Sequence, residues 1–580
     1  MGSRADLLES RTRTSVDAHR HHPGSDSVRE FHADGQHRGA QLALGGGASG
    51  ERSVNRLARS SIRRTGGIAP MLHALGRTHA LGAVALSLTL GAALLTTAPS
   101  AYAEADATLP ITVPSVHEFA PGTGSFTLPD QARIVASGAA APIAARFATD
   151  LNKAGRTITE GDGAPGPGDL VLRIDQSGPD QPESYRIDIG ATVTATARTA
   201  EGAIHATQTL LQWFSRTGAL PTGTVTDWPD YSERGLLLDL GRKYLTVDWI
   251  EQRIREMAYY RMNLIQLHFS DRYGFRLESR SHPEVTSPEH YSRAEIAEII
   301  AYAADYGIEV MPEIGFPGHM NGILESHPEL ALHPVVTNPI DAATDGLLAG
   351  TAEGRIDLSD PGARPLIEDL LREFLPLFPG RYFHIGGDEY ISDYSRYPQI
   401  GEDLVADTFN WANGIVRSYG KTARMWNDGI PRGGHTPVDR SIIVDYWTGG
   451  DGPLPWISTQ NGPESLADQG FTLSNAGFTP TYWSTGGYAA PLNSPPELLY
   501  AWDPGLFVNG TRLRPDQRGQ LLGSKLFIFA DDPFAKTEQE IVEPVHTRLP
   551  IMAQQLWAGT KSIGYGEFTG EVRMVGLPTS

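Results

Sequence analysis

From residue 235 onward the chain repeats one pattern: a short, almost wholly apolar run ending in a polar or aromatic residue, then an amphipathic stretch. The runs are residues 235–240, 264–270, 308–314, 382–389, 422–428, 442–447, 471–475 and 525–531. Short continuous apolar runs predict strands buried on both faces, as in parallel sheets. Several connections carry helical spacing, over 247–260, 292–306 and 364–378, the second opening on the capping box Ser292/Glu295. Eight runs with helical connections over roughly 340 residues predict an α/β fold, a (β/α)8 TIM barrel across residues 231–580, rather than an open doubly wound sheet. Residues 448–526 hold more loop than that repeat requires. Ahead of the barrel, residues 104–230 alternate at period two over 170–174 and 185–189 and at helical period over 200–214. They predict a small α+β domain, and with no acid/base constellation in it a supporting role is expected.

Residues 1–103 read differently. Residues 1–70 are rich in Arg, His, Ser and Gly with no sustained apolar period, which predicts a disordered extension. The apolar run 81–95 follows Arg77 and leads into small residues ending at Ala103. This predicts a signal peptide cleaved near Ala103, the run being shorter than the roughly 20 residues of a spanning helix. Met71 would open a signal peptide of ordinary length, so the start at Met1 or Met71 stays open. The expectation is a secreted protein with no membrane attachment in its mature form.

Composition narrows the chemistry. Hydrophobic residues at 40% and charged residues at 20% are the balance of a globular protein, not of a disordered one. A formal charge of -20 disfavours a nucleic-acid partner. With Cys 0 the chain has no disulfide, thiolate metal site or cysteine nucleophile.

In a TIM barrel, function gathers where strands end. The expected strand ends carry Asp239, His268 with Asp271, Glu313 with His319 beyond it, Asp388 with Glu389, Trp426 with Asp428, Asp445 with Trp447, Asn475 and Asp531. Carboxylates and indoles without a nucleotide loop point to carbohydrate chemistry, because carboxylates run acetal hydrolysis and flat aromatic faces stack on sugar rings. A zinc site is the competing reading, but no His-x-x-x-His pair on a helix supports it, and neither a metal nor a cofactor is expected.

The most specific segment is His384-Ile385-Gly386-Gly387-Asp388-Glu389, which resembles the signature of the family 20 glycoside hydrolases, the hexosaminidases. Further pieces follow in that family's order: Arg234 to Asp239, His268 to Asp271, Pro312-Glu313, Pro317-Gly318-His319 and Arg424 to Asp428. The resemblance runs from about residue 109 to the C-terminus, and the stretch 421–429 is similar to the bacterial dispersin and lacto-N-biosidase branches.

The resemblance implies an exo-acting, retaining β-N-acetylhexosaminidase acting on N-acetylhexosamine-containing oligosaccharides or glycans. In that family the substrate's own 2-acetamido oxygen attacks the anomeric carbon. Glu389 is then the general acid, and Asp388 orients the acetamido group and faces the charge of the oxazolinium. By the same resemblance His319 and Asp271 are a supporting pair and Arg234 holds sugar hydroxyls. Trp426 and Trp447 line the acetamido pocket, and Tyr482 hydrogen-bonds the acetamido oxygen.

Three positions depart from the family pattern. Phe529-Ala530-Asp531 stands where Trp-x-Glu is common, Gly315 where an acid is frequent, and Arg272 where a second acid follows Asp271. Asp531 is expected at the floor of the terminal-sugar pocket. These departures leave open a lacto-N-biosidase-like or dispersin-like specificity. A catalytically silent carbohydrate-binding barrel is the alternative from another class.

Overall fold

The computed structural model describes residues 108–334, 354–391, 393–448, 461–487 and 489–579. The extension and signal peptide expected over 1–103 lie outside the described residues. Among the described residues no helix is long and apolar enough to cross a membrane.

Residues up to 227 form a mixed seven-stranded sheet. Its strands are β1 (Glu118–Thr127), β2 (Ala132–Ala136), β3 (Ile158–Gly161), β4 (Leu170–Ile174), β5 (Tyr185–Ile189), β6 (Val193–Ala197) and β7 (Ala219–Asp227), in the order β1-β7-β5-β6-β4-β2-β3. The stretches read as strands at 170–174 and 185–189 and as a helix at 200–214 stand where the spacing put them. Helix Ala200–Phe214 is buried along nearly its whole length. It packs on the sheet and against barrel helix Val247–Tyr259, where Gln212 Nε2 donates to the Tyr259 carbonyl at 2.7 Å. Arg261, entirely buried, closes the junction on Asp227 at 2.9 Å.

The second sheet is a closed parallel barrel of β8 (Glu233–Asp239), β9 (Leu264–His268), β12 (Glu309–Phe316), β13 (Tyr382–Gly386), β14 (Thr422–Trp426), β15 (Ile443–Tyr446), β16 (Leu473–Asn475) and β18 (Leu521–Phe529). The β16–β18 and β18–β8 pairings complete the ring. All eight apolar runs supply a strand. The last strand starts at Leu521, ahead of the run at 525, because Gly523 and Ser524 interrupt its apolar pattern. Two small additions fall outside the repeat: a hairpin of β10 (Ser270–Asp271) and β11 (Gly274–Phe275), and β17 (Tyr482–Ser484) laid beside β18. Helices Val247–Tyr259, Arg293–Asp305 and Ala363–Phe374 fill the expected connections. The second opens on its capping box, the Ser292 hydroxyl accepting from Glu295 N at 3.2 Å while the Glu295 carboxylate accepts from Ser292 N at 2.7 Å.

The barrel interior is charged as well as apolar. At its floor Lys525 Nζ lies 3.2 Å from both Glu233 and Asp445, and Arg424 bridges the same two carboxylates. The chain of contacts rises from Asp445 to His384 (3.2 Å), Glu313 (3.2 Å), His268 (2.8 Å), Asp271 (2.8 Å) and His319 (3.3 Å). Buried charges are tolerated only when paired, and the line alternates in sign up to the mouth of the barrel, although His384 Nε2 and His268 Nδ1 approach their carboxylates without a hydrogen bond.

Candidate active site

Strand β13 delivers the two central carboxylates, and the way the chain leaves it decides where they point. Successive side chains of a strand face opposite sides, so neighbours on a regular strand would not share a pocket. Here Gly386, Gly387 and Glu389 take φ of +76°, +108° and +52°. Glycine enters the left-handed region freely, whereas Glu389 is strained there, a feature that concentrates at functional sites. A Cβ on Gly386 would stand 2.6 Å from the Gly315 Cα, so only glycine lets β12 and β13 approach this closely. The turn brings both carboxylates to one wall. His319, itself at φ +57°, points Nε2 at Asp388 Oδ2 (3.2 Å) and Glu389 Oε2 (3.3 Å).

Behind His319, its Nδ1 stands 3.3 Å from Asp271, which also pairs with Arg242 Nη2 at 3.1 Å. Arg242 reaches Asp239 at 2.9 Å with its other terminal nitrogen. Asp428 accepts from the Glu389 amide at 2.8 Å and from Trp447 Nε1 at 2.7 Å, tying the acid's backbone to the aromatic wall. Trp426 Nε1 donates to Glu313 at 2.8 Å. Trp447 and Tyr482 lie nearly parallel, 10° between planes and 6.4 Å between centroids. The pocket is lined by Arg242, His319, Asp388, Glu389, Trp426, Trp447, Tyr482 and Phe529.

Electrostatics separate the two acids. Burial pushes Asp388 above the usual carboxylate range, with the charges of Glu313 and Glu389 adding to it and His319 opposing. Burial also pushes Glu389 upward, but the hydrogen bond and charge of His319, with Arg242 and Arg355, outweigh it and leave that group below its ordinary value. Burial alone would discharge His319, yet Asp388 and Asp271 hold it well above the usual imidazole range. Asp428 is pushed up to about 7 by burial and then by the charge of Asp388. Burial and then the neighbouring carboxylates keep Tyr482 well above the phenol range, a neutral hydroxyl donor.

The structure thus gathers Asp388, Glu389, His319, Trp426, Trp447 and Tyr482 around one pocket, with Asp271 directly behind. Arg234 is not there. Its guanidinium is fully buried against the small domain, donating to the carbonyls of Arg261 and Tyr231 at 2.9 Å each and pairing with Glu183 at 2.5 Å. Period two puts Arg234 on the face opposite Asp239, and five residues at about 3.3 Å put it roughly 17 Å back along the strand. The arginine at the pocket is Arg242, three residues past the strand end, which strand-end reading passed over. Asp531 accepts from the Ser484 hydroxyl and stands outside the pocket lining, where Phe529 of the same strand end takes the place expected for it.

Residues 231–560 match the catalytic domain of glycosyl hydrolase family 20, and residues 109–228 match the same family's domain 2. The chain belongs to glycosyl hydrolase family 20. Among curated relatives, the lacto-N-biosidase of Bifidobacterium bifidum is 28% identical over 501 residues, covering 83% of this chain but only 42% of that protein. A β-N-acetylhexosaminidase of Cellulomonas fimi is 29% identical over 434 residues, covering 71% of this chain and 81% of the relative. Among solved structures, the Streptomyces plicatus N-acetyl-β-hexosaminidase in complex with a thio-sugar ligand superposes with a TM-score of 0.64 at 24% identity. That match covers 80% of this chain and 93% of the other. The family 20 exo-β-N-acetylglucosaminidase of Vibrio harveyi gives 0.64 at 19% identity, covering 80% and 76%. At these identities the structures speak for the fold.

Proposed function

We propose that this family 20 chain is an exo-acting β-N-acetylhexosaminidase that removes a terminal β-linked N-acetylhexosamine with retention, using the substrate's acetamido group as nucleophile. The observation that carries the reading is the placement of Asp388 and Glu389 on one wall, both within 3.3 Å of a single His319 nitrogen and facing an aromatic slot. A two-carboxylate retaining mechanism needs an acid and a nucleophile on opposite sides of the scissile bond. One wall cannot supply that, whereas an internal nucleophile needs only an acid and a partner for the acetamido group.

Glu389 must act in its protonated form, against the pull of His319 that lowers it in the free protein, and it gives that proton to the glycosidic oxygen as the C1–O bond breaks. The acetamido oxygen closes on C1, and Asp388 accepts from the acetamido N–H and balances the positive charge spreading over the oxazolinium. Trp426, Trp447 and Tyr482 enclose the methyl and carbonyl of that group. Water then opens the ring on the face the leaving group vacated, with Glu389 now taking its proton, so the β configuration returns. The chemistry calls on the chain, its substrate and one water molecule.

Turnover of a nitrophenyl β-N-acetylglucosaminide, with no turnover of the glucoside bearing a 2-hydroxyl, is the expected result. Equal rates on the two would refute the reading. The second reading is release of a disaccharide, supported by the lacto-N-biosidase among the relatives and by Phe529 in place of the more common indole. A nitrophenyl lacto-N-bioside alongside the monosaccharide substrates separates the two. We infer further that the chain is exported by the segment at 81–95, which mass measurement of the secreted N-terminus near Ala103 tests.

A further inference from the structure

Outside the pocket the chain carries one five-residue pattern twice: Ser281-His282-Pro283-Glu284-Val285 and Ser326-His327-Pro328-Glu329-Leu330. Each copy folds alike, its proline and glutamate opening a short 3-10 helix (Pro283–Val285 and Pro328–Leu330) with the histidine just ahead in nearly the same backbone conformation. The copies pack together. Their imidazole rings meet at 5.9 Å with 79° between planes, and the Ser326 hydroxyl donates to the Glu284 carbonyl at 2.7 Å.

The polar atoms converge on one oxygen. Glu284 Oε1 lies 3.0 Å from His282 Nδ1 and 3.1 Å from His327 Nε2, and the three ligand atoms sit within 4.8 Å of one another. For a tetrahedral zinc ion with bonds of about 2.0–2.1 Å, ligand atoms stand about 3.3 Å apart. The remaining nitrogen of each ring faces a further carboxylate: His282 Nε2 reaches Asp369 Oδ2 on helix Ala363–Phe374, and His327 Nδ1 reaches Glu329 Oε1, both at 3.3 Å. A carboxylate behind a metal-binding imidazole fixes its tautomer and orientation, and here both histidines have one. The side chains are partly exposed, with 43% of Glu284 accessible, so an ion and its water ligand have an open approach.

We propose that His282, Glu284 and His327 form a surface site for a divalent transition metal of the zinc class, apart from the catalytic pocket. Two imidazoles and one carboxylate suit zinc over magnesium or calcium, which favour all-oxygen shells. The second group of this kind among the described residues, Asp239, His268 and Asp271, is a poorer candidate. The Arg242 guanidinium already lies on both of its aspartates, and a second cation there would meet that charge. Position gives the proposed site a structural consequence. The first copy lies in the connection that carries Asp271 after β9, and the second in the connection that carries His319 after β12. A bound ion clamps together the two loops whose side chains form the pair behind the acids.

The test is equilibrium dialysis of the full chain, without a polyhistidine tag, against zinc chloride, with metal counted by mass spectrometry and thermal midpoints measured with and without zinc. One zinc per chain is expected, unaffected by millimolar magnesium or calcium, with a midpoint that rises on binding. The double variant His282→Ala/His327→Ala should lose that zinc and the rise. Its metal-free activity should match the metal-free parent, because neither side chain reaches the pocket, and this shows that it has folded. Asp369→Asn leaves all three ligands in place and should weaken binding about 10- to 100-fold. Absence of zinc from the parent, or equal zinc in the double variant, overturns the proposal and leaves a hydrogen-bonded surface cluster only.

Discussion

His319 is the point at which the free protein restrains its own acid, and replacing it by glutamine exposes the size of that restraint. The imidazole nitrogen stands 3.3 Å from Glu389 Oε2 and is held in its charged form by Asp388 and Asp271. At that distance a unit charge contributes about 5 kcal/mol at an effective dielectric of 20 and about 1.3 kcal/mol at 80. That attraction favours the charged carboxylate, so its loss should raise the titration of Glu389. The sign follows from the acid's role. Glu389 must be protonated to serve the leaving group, so activity falls as pH rises through its pKa, and His319→Gln should move that limb of kcat/KM to higher pH. Glutamine also loosens both carboxylates, so the plateau should fall.

The assay is the pH dependence of kcat/KM, which reports the free enzyme, on an unactivated glycoside such as a chitin disaccharide. Aryl substrates are unsuitable because their leaving groups need little protonation. An alkaline limb that stays in place, or moves to lower pH, in a variant that still binds a thiazoline mimic of the intermediate refutes the reasoning. In that case the His319 charge does not act on the catalytic acid.

Glu389→Gln should cost roughly 10² to 10⁴ in kcat on unactivated glycans and less on aryl glycosides, compared by steady-state kinetics. Asp388→Asn should cost about 10² or more in forming the intermediate, since an amide can hydrogen-bond but supplies no charge. A covalent adduct on Asp388 after treatment with a 2-fluoro sugar, read by intact mass, would contradict that role. Arg234→Met should lower stability by about 3–5 kcal/mol, the scale of breaking a buried ion pair, while KM stays at the parent value. A raised KM without destabilisation would restore Arg234 to the sugar. Stability against urea should fall from about pH 5 downward. Burial raises Glu313, Asp271 and Glu233, but their cationic partners more than offset it and hold them below their ordinary values, Glu233 at about 2. The unfolded chain therefore takes up protons first as the pH drops. A urea midpoint flat from pH 6 to 3 would refute this.

How much of this could be read along the chain follows from what burial does to a pattern. Barrel strands packed on both faces leave continuous apolar runs, so β8, β9 and β12 stand out, and helix 293–305 announces itself by its capping box. Strand β17, three residues long, has no period to display. The start of β18 is hidden by Gly523 and Ser524, which break its apolar pattern. The charged interior was equally hidden, because its pairs join residues such as Glu233 and Lys525, 292 positions apart. Each alone resembles a polar interruption. Arg234 shows the converse error: a residue in the right motif, at the end of its strand away from the pocket. The histidines of the proposed metal site escaped for a similar reason, since their ligands come from two loops rather than from one helix.

The adjacency of Asp388 and Glu389 joins these observations. On a regular strand their side chains would diverge, and the pair would have no common chemistry. Gly386 and Gly387 remove that constraint, and the strain at Glu389 and His319 is held by Asp428 on the acid's amide and by Asp271 on the imidazole. Such strain costs on the order of 1–3 kcal/mol per residue and persists only where the surroundings over-determine it. The surroundings here are the column of alternating charges that rises through the barrel from Glu233. On this view the buried ion pairs contribute less to stability than to holding two acids and one imidazole in a geometry the backbone alone would abandon. They are therefore part of the catalytic apparatus although none of them meets the sugar.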